Sequence, residues 1–259
     1  VTAAAFAKEN QFRSDNAMKI CIAQTRPVTG DIARNIDHHQ KFIELALAHG
    51  AGLIFFPELS LTGYEPALAQ ELATTPDDPR LDLFQNISDT RQITIGLGLP
   101  TRHPAGICIS MVLFQPDQAR QTYSKKYIHA DEAPFFISGQ NFTGIKSDQA
   151  NIALAICYEL SIPDHAENAF QSGANIYVAS VAKFVNGVDK AMRRLSEIAR
   201  NYAMTVFMSN CIGPADGAKC AGGSAIWNSE GVLIGQLNDT NEGILIFDPD
   251  RQALIEQTI

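Results

Sequence analysis

The stretch Asn151–Leu160, NIALAICYEL, constrains the fold of this chain more than any other. Its first seven residues are almost continuously apolar and end on Cys157, a pattern that suits a strand buried on both faces. Such strands belong to α/β folds whose sheets are covered by helices, and their carboxyl ends form the rim where ligands bind. Cys157 therefore stands at a position suited to chemistry. A free cysteine is more often inert core filler than a nucleophile, so by itself the residue leaves both roles open.

The same unit recurs along the chain. Lys19–Gln24 alternates as a strand does, and Asp31 opens a helix carrying Ile32, Ile36, Ile43 and Leu47 on one side, closed by Gly50. His38 and His39, on that helix, are expected at its surface. Leu53–Phe56 is a second buried strand and runs into Pro57-Glu58-Leu59, so Glu58 is placed like Cys157. Helical spacing over residues 67–92, broken at Pro76 and Pro79, gives a core face of Leu81, Phe84 and Ile87. Ile93–Leu97, Ile107–Phe114 and Arg120–Tyr123 read as strands. The last two are joined by hairpin chemistry at 115–119, and Lys125 and Lys126 follow. Beyond Cys157 come a helix from Pro163 to Ser172, a strand Ile176–Ser180, a helix Val188–Asn201 and a strand Thr205–Asn210. Ser224–Trp227, Val232–Gln236 and Gly243–Phe247 are further strands. Two strand–helix halves, with hairpins between and after, predict a mixed-sheet sandwich covered by helices.

Composition narrows the partners. The 259 residues show no Gly/Ser/Pro linker, so residues 18–259 are expected to form one domain, preceded by a flexible leader or tag at 1–17. A net charge of -8 without a concentrated Lys/Arg run gives no reason to bind nucleic acid or an anionic membrane. No apolar run approaches the roughly 18 residues of a membrane span. Five cysteines, odd in number and widely spread, fit a reducing cytoplasm. No set of His, Cys and carboxylates has metal-ligand spacing, so neither metal nor other cofactor is expected, and a small molecule is the natural partner.

A cysteine nucleophile needs help. The thiolate is the reactive form, and a thiol of pKa about 8.5 is only partly ionised at neutral pH, so a base or a cation must stand close. Glu58, partly desolvated at a strand end, would gain basicity, and Lys125 could meet a developing oxyanion. Thiol, carboxylate and ammonium at strand ends make a complete acyl-transfer set.

Three segments, Phe56-Pro57-Glu58-Leu59-Ser60-Leu61-Thr62-Gly63-Tyr64, Tyr123-Ser124-Lys125 and Cys157-Tyr158-Glu159-Leu160, stand in an order that resembles the nitrilase superfamily of carbon-nitrogen hydrolases. The resemblance spans almost all of Met18–Phe247, including Gly173-Ala174-Asn175 and Gly222-Gly223-Ser224. It implies a four-layer α-β-β-α sandwich, usually dimerised or in a higher homo-oligomer, with Glu58 as general base, Lys125 as stabiliser of the tetrahedral intermediate and Cys157 as the nucleophile that forms a thioester. Glu132 is similar to the second glutamate that many members place beside the lysine, where it would orient Lys125 and the incoming water. The histidine that often follows the family's lysine is here Tyr127. Lys126 is the rival of Lys125, but adjacent residues on a strand face opposite ways, so only one can reach Cys157.

Other residues carry weaker expectations. Tyr64 and Lys183 are candidate substrate contacts, Lys183 for a carboxylate, though a packed tyrosine and a solvated lysine are the plainer readings. Glu159 is expected to shape the turn by accepting backbone hydrogen bonds, and Cys211 and Cys220 to be incidental. Tyr158, where nitrilases tend to carry tryptophan, resembles the amidase and carbamoylase branches, so hydrolysis of a small amide or carbamoyl compound is favoured. Nitrile hydrolysis, acyl transfer to an amine and a silent binding scaffold remain alternatives. A papain-like pairing of Cys157 with His165 lacks that family's local signature. No synthetase-like stretch follows Ile259, so a fused glutaminase is not expected.

Overall fold

The computed structural model describes residues 18–140, 144–146 and 150–259; the expected leader at 1–17 lies outside the described residues. Among these, the strands form two large sheets. The first has the order β15-β14-β1-β2-β3-β4-β5, with β1 Ile20–Gln24, β2 Leu53–Phe55, β3 Thr94–His103, β4 Gly106–Phe114, β5 Gln121–Ser124, β14 Gly243–Asp248 and β15 Ala253–Thr258. The second has the order β13-β12-β9-β8-β7-β6, with β6 Ile145–Lys146, β7 Asn151–Ile156, β8 Ile176–Val181, β9 Thr205–Asn210, β12 Ala225–Trp227 and β13 Leu233–Gln236. A small hairpin, β10 Ile212–Ala215 with β11 Ala218–Ala221, stands apart from both.

Each large sheet has a parallel centre, β1-β2-β3 in one and β7-β8-β9 in the other. Parallel strands need crossovers, and the helices α1 Ile32–Ala48, α2 Asp82–Arg91, α3 Pro163–Gln171 and α4 Val188–Tyr202 provide them or cover the sheets nearby. The central strands are apolar on both faces because each face meets a different core. Ile20, Ile22, Leu53 and Phe55 turn inward against the second sheet. Cys21, Ala23 and Ile54 turn outward under α1 and α2, where they meet Phe42, Ile43, Phe84 and Ile87. On the far side, Leu195, Ile198 and Ala199 of α4 join the core of the second sheet. The result is the α-β-β-α sandwich, in four layers.

Local chemistry sets the helix ends. Asp31 accepts a hydrogen bond from the Arg34 backbone N–H at 3.0 Å, capping α1. Pro163 occupies the first turn of α3, where its missing N–H costs nothing.

The structure corrects four expectations. His39 is buried, not on the surface: it stacks on Phe56 with ring centroids 4.1 Å apart. Its Nδ1 lies 2.6 Å from the Asn35 carbonyl, which can only accept, so the proton sits on Nδ1 and Nε2 accepts from the Ser60 hydroxyl at 2.9 Å. β3 continues past Leu97 through Pro100 to His103 and pairs with β4 from Ile95 to His103. The β10–β11 hairpin and the edge strand β15 were not expected at all.

Candidate active site

Three strand ends converge across the seam between the sheets. β2 delivers Glu58, and Leu59 turns the chain with φ +52°. The Pro57–Leu59 backbone passes so close to Gly98 that a Cβ there would lie 2.3 Å from the Pro57 carbonyl oxygen, so only glycine fits. β5 delivers Lys125, whose N–H donates to the Ile109 carbonyl at 2.8 Å. β7 delivers Cys157, which opens a one-turn 3₁₀ segment, Cys157–Ser161, with φ +44°. A left-handed backbone at a non-glycine residue costs about 1–3 kcal/mol and persists only where its surroundings hold it.

Glu159 is what holds it. Buried completely, its carboxylate accepts from the Ile156 N–H at 2.8 Å, the Lys126 N–H at 2.7 Å and the Tyr123 hydroxyl at 2.8 Å. One side chain thereby ties the residue before the cysteine to the residue after the lysine. Tyr158 reinforces the tie by meeting His129 edge to face, centroids 5.0 Å apart.

The centre of the site is a shared ammonium. Lys125 Nζ donates to Glu58 Oε1 at 2.8 Å and to Glu132 Oε1 at 2.7 Å, all three residues being 0–2% exposed. An ammonium has three N–H bonds, so one is left for a further acceptor. The other carboxylate oxygens are also occupied: Glu58 Oε2 accepts from the Ala182 N–H at 3.2 Å, and Glu132 Oε2 from the His129 N–H at 2.9 Å. Lys126 is exposed and lies over the Tyr127 ring, 5.4 Å from its centroid, so Lys125 is the buried one of the pair.

Electrostatics decide the protonation states. Burial pushes Glu58 above its ordinary value, partly opposed by the charge of Lys125. For Lys125 burial works against the charged form, but Glu58, Cys157 and Glu132 outweigh it and the net shift is upward. Burial and the nearby Glu58 charge push the Cys157 thiol up to about 11, against the pull of Lys183 and Lys125. At neutral pH Cys157 therefore rests as the thiol. Both Glu58 oxygens accept hydrogen bonds, as those of a carboxylate do, and the nearby cations do not by themselves ionise the cysteine.

The weaker candidates fall into place differently. Tyr64 donates its hydroxyl to Glu132 Oε1 at 2.9 Å, and its ring meets Phe184 edge to face. Lys183 is half-buried at the end of β8. Its N–H donates to Asn210 Oδ1 at 2.8 Å and its carbonyl accepts from the Ala221 N–H at 2.8 Å, which fixes the root of the side chain. His165 has both ring nitrogens taken by tyrosine hydroxyls, Tyr123 and Tyr177, each at 2.9 Å. Two hydroxyls missed in the sequence stitch the sheets together at the site: Ser180 Oγ donates to the Phe56 carbonyl at 2.7 Å, and Ser209 Oγ to the Ala23 carbonyl at 2.6 Å. Serines at the carboxyl ends of apolar strands were the available signal. Among the described residues no group of three or more His, Cys, Asp or Glu could hold a metal ion, and no helix is long and apolar enough to cross a membrane.

The fold is that of a carbon-nitrogen hydrolase sandwich. The chain belongs to the carbon-nitrogen hydrolase family, whose profile matches residues 19–258. Among its relatives, the (R)-stereoselective amidase of Pseudomonas sp is 28% identical over 215 residues, covering 80% of this chain and 76% of the amidase. The glutamine-dependent NAD(+) synthetase of Thermotoga maritima is 23% identical over 243 residues, 90% of this chain but 42% of the synthetase. The amidase from Nesterenkonia sp. AN1, solved after addition of acrylamide at its active-site cysteine, superposes with a TM-score of 0.80 at 22% identity, over 88% of this chain and 92% of that one.

Proposed function

We propose that the chain hydrolyses the carbon–nitrogen bond of a small non-peptide amide or carbamoyl compound through a Cys157 thioester. The observation that carries this reading is the Lys125 ammonium bridging Glu58 and Glu132 at 2.8 and 2.7 Å beside a cysteine held at φ +44°. The Cys157 sulfur attacks the carbonyl carbon while Glu58 takes the thiol proton. The free N–H of Lys125 meets the oxyanion. Glu58 then gives the proton to the departing nitrogen as the C–N bond breaks, leaving the thioester. Water attacks next, Glu58 accepting its proton and passing it to the sulfur as the C–S bond breaks, which releases the acid and restores the thiol and the Glu58 carboxylate. Glu132 keeps Lys125 in line throughout and, with Tyr64 behind it, fixes the cation against drift. An amidase relative supports amide hydrolysis, and the Michael addition of acrylamide to the cysteine of a like-folded amidase supports a nucleophilic thiol at this place in the fold.

Lys183, half-buried and near enough to lower the Cys157 pKa, is our candidate anchor for an anionic group on the substrate. The reading is tested by incubating wild-type protein and Cys157→Ala with small amides, nitriles and N-carbamoyl acids while following ammonia release and intact mass. An acyl adduct on Cys157 with ammonia from an amide is the expected outcome. Ammonia release that survives Cys157→Ala would overturn the mechanism. Lys183→Met should raise KM for amides bearing a carboxylate and leave neutral amides unaffected; an equal change for both removes Lys183 from substrate recognition.

A further inference from the structure

Two cysteines that the hydrolytic chemistry does not use lie side by side next to it. Cys211, directly after β9, and Cys220, in β11, are 3% and 0% exposed, and the Cys211 thiol donates to the Cys220 sulfur across 2.8 Å. A formed disulfide spans about 2.05 Å, so closing the gap takes about 0.8 Å of movement. The ten-residue span from Cys211 to Cys220 is a hairpin turned at Asp216-Gly217, both with positive φ, which brings the two cysteines back to the same end of the β10–β11 pair.

Both cysteines are tied to the segment that carries the site. Asn210 Oδ1 accepts from the Cys211 N–H at 3.0 Å and from the Lys183 N–H at 2.8 Å. Cys220 forms a β-bridge with Phe184, and the Ala221 N–H donates to the Lys183 carbonyl. Ala182, whose N–H holds Glu58, packs in one apolar cluster with Cys211 and Cys220, and Tyr64 and Phe184 pack against it.

We propose that Cys211 and Cys220 are a redox modification site: a small hydroperoxide converts the two thiols to an intramolecular disulfide, and the crosslink slows turnover through the Ala182–Phe184 segment. Both thiol protons and two electrons pass to the peroxide, whose O–O bond breaks to give an alcohol and water, or two waters from hydrogen peroxide, as the S–S bond forms. Formation of the bond stands independently of the proposed hydrolysis, and only its effect on turnover rests on that reading.

The test treats folded protein with hydrogen peroxide. In Cys157→Ala, where the nucleophile cannot interfere, intact mass should drop by about 2 Da and a non-reduced digest should link Cys211 to Cys220. In the wild type, turnover of a substrate amide should fall roughly fivefold or more and return with dithiothreitol, while Cys220→Ala and Cys211→Ala keep their activity under the same treatment. Two variants guard against one that folds poorly. Absence of the crosslink at excess peroxide, or oxygen adducts at these sulfurs in its place, overturns the proposal. So does equal inactivation of wild type and both variants, or a crosslinked protein that turns over as fast as the reduced one.

Discussion

Glu159→Gln is the substitution that most directly tests how the site is held. The native carboxylate accepts from the Ile156 N–H on one oxygen, from the Lys126 N–H and, at 3.5 Å, the Tyr127 N–H on the other, and from the Tyr123 hydroxyl. A carboxamide keeps one oxygen and turns an NH₂ towards the other donor, so at least one buried N–H loses its acceptor. That loss, with the exchange of charge-assisted bonds for neutral ones, is worth about 2–4 kcal/mol. For a chain of this size each kcal/mol moves the melting temperature by roughly 2–4 °C, so a drop of roughly 5–15 °C is expected by circular dichroism. The released donor flanks either Cys157 or Lys125, and a displacement near 1 Å in such a site costs about 10²-fold in rate, so kcat/KM for amide hydrolysis should fall about 10- to 100-fold. A variant that melts within about 2 °C of wild type and keeps its kcat/KM within about twofold would refute the account of Glu159 as the tie between the two strand ends.

Three other outcomes are expected. Glu58 must be deprotonated to act as base and its pKa is raised by burial, so the acid limb of the kcat/KM profile should lie above the ordinary carboxylate value of about 4.3; a limb at or below that pH excludes Glu58 as the base. Tyr64→Phe removes only the hydroxyl on Glu132, about 1 kcal/mol of anchoring, so kcat should fall roughly fivefold with KM unchanged; a rise in KM alone would place Tyr64 against the substrate instead. Burial lowers His39 from 6.5 to about 3, so between those values the unfolded chain binds the extra proton and stability is lost as pH falls, by up to about 1.4 kcal/mol per pH unit. Melting of His39→Gln from pH 6.5 to 4 should show a shallower decline than wild type, and parallel curves would contradict the neutral buried imidazole.

Much of this was legible in the sequence because burial on both faces writes itself as continuous apolar runs. β7, β8 and β9, and the placing of Glu58 and Cys157 at strand ends, follow from that signature. What escaped was set by neighbours. β15, ALIEQT, is an edge strand with none of its side chains buried; three apolar residues followed by three polar ones show neither the alternation nor the continuous apolar run of a core strand and are easily taken for a tail. β3 was cut short at Gly98 and Pro100, which look like breakers, yet Gly98 is there to let the Glu58 turn pass. The β10–β11 hairpin hid behind Gly213 and Pro214, although Asp216-Gly217 is a strong turn pair. His39 carried no sign of burial, since only the fold brings Phe56 and Ser60 onto its ring. The Lys125 bridge depends on the sandwich as well: spacing alone does not say that Glu58 and Glu132 meet on one nitrogen.

The seam between the sheets ties assembly of the candidate site to closure of the sandwich. Glu58 and Lys125 ride on one sheet and Cys157 and Ala182 on the other, and the hydroxyls of Ser180 and Ser209 bind carbonyls across the gap. Neither sheet carries Glu58, Lys125 and Cys157 together, so the three meet only where the two layers close on each other. On the proposed mechanism, parting the two layers leaves the thiol on one sheet and the carboxylate and ammonium on the other, so the chemistry is lost before the rest of either sheet unfolds.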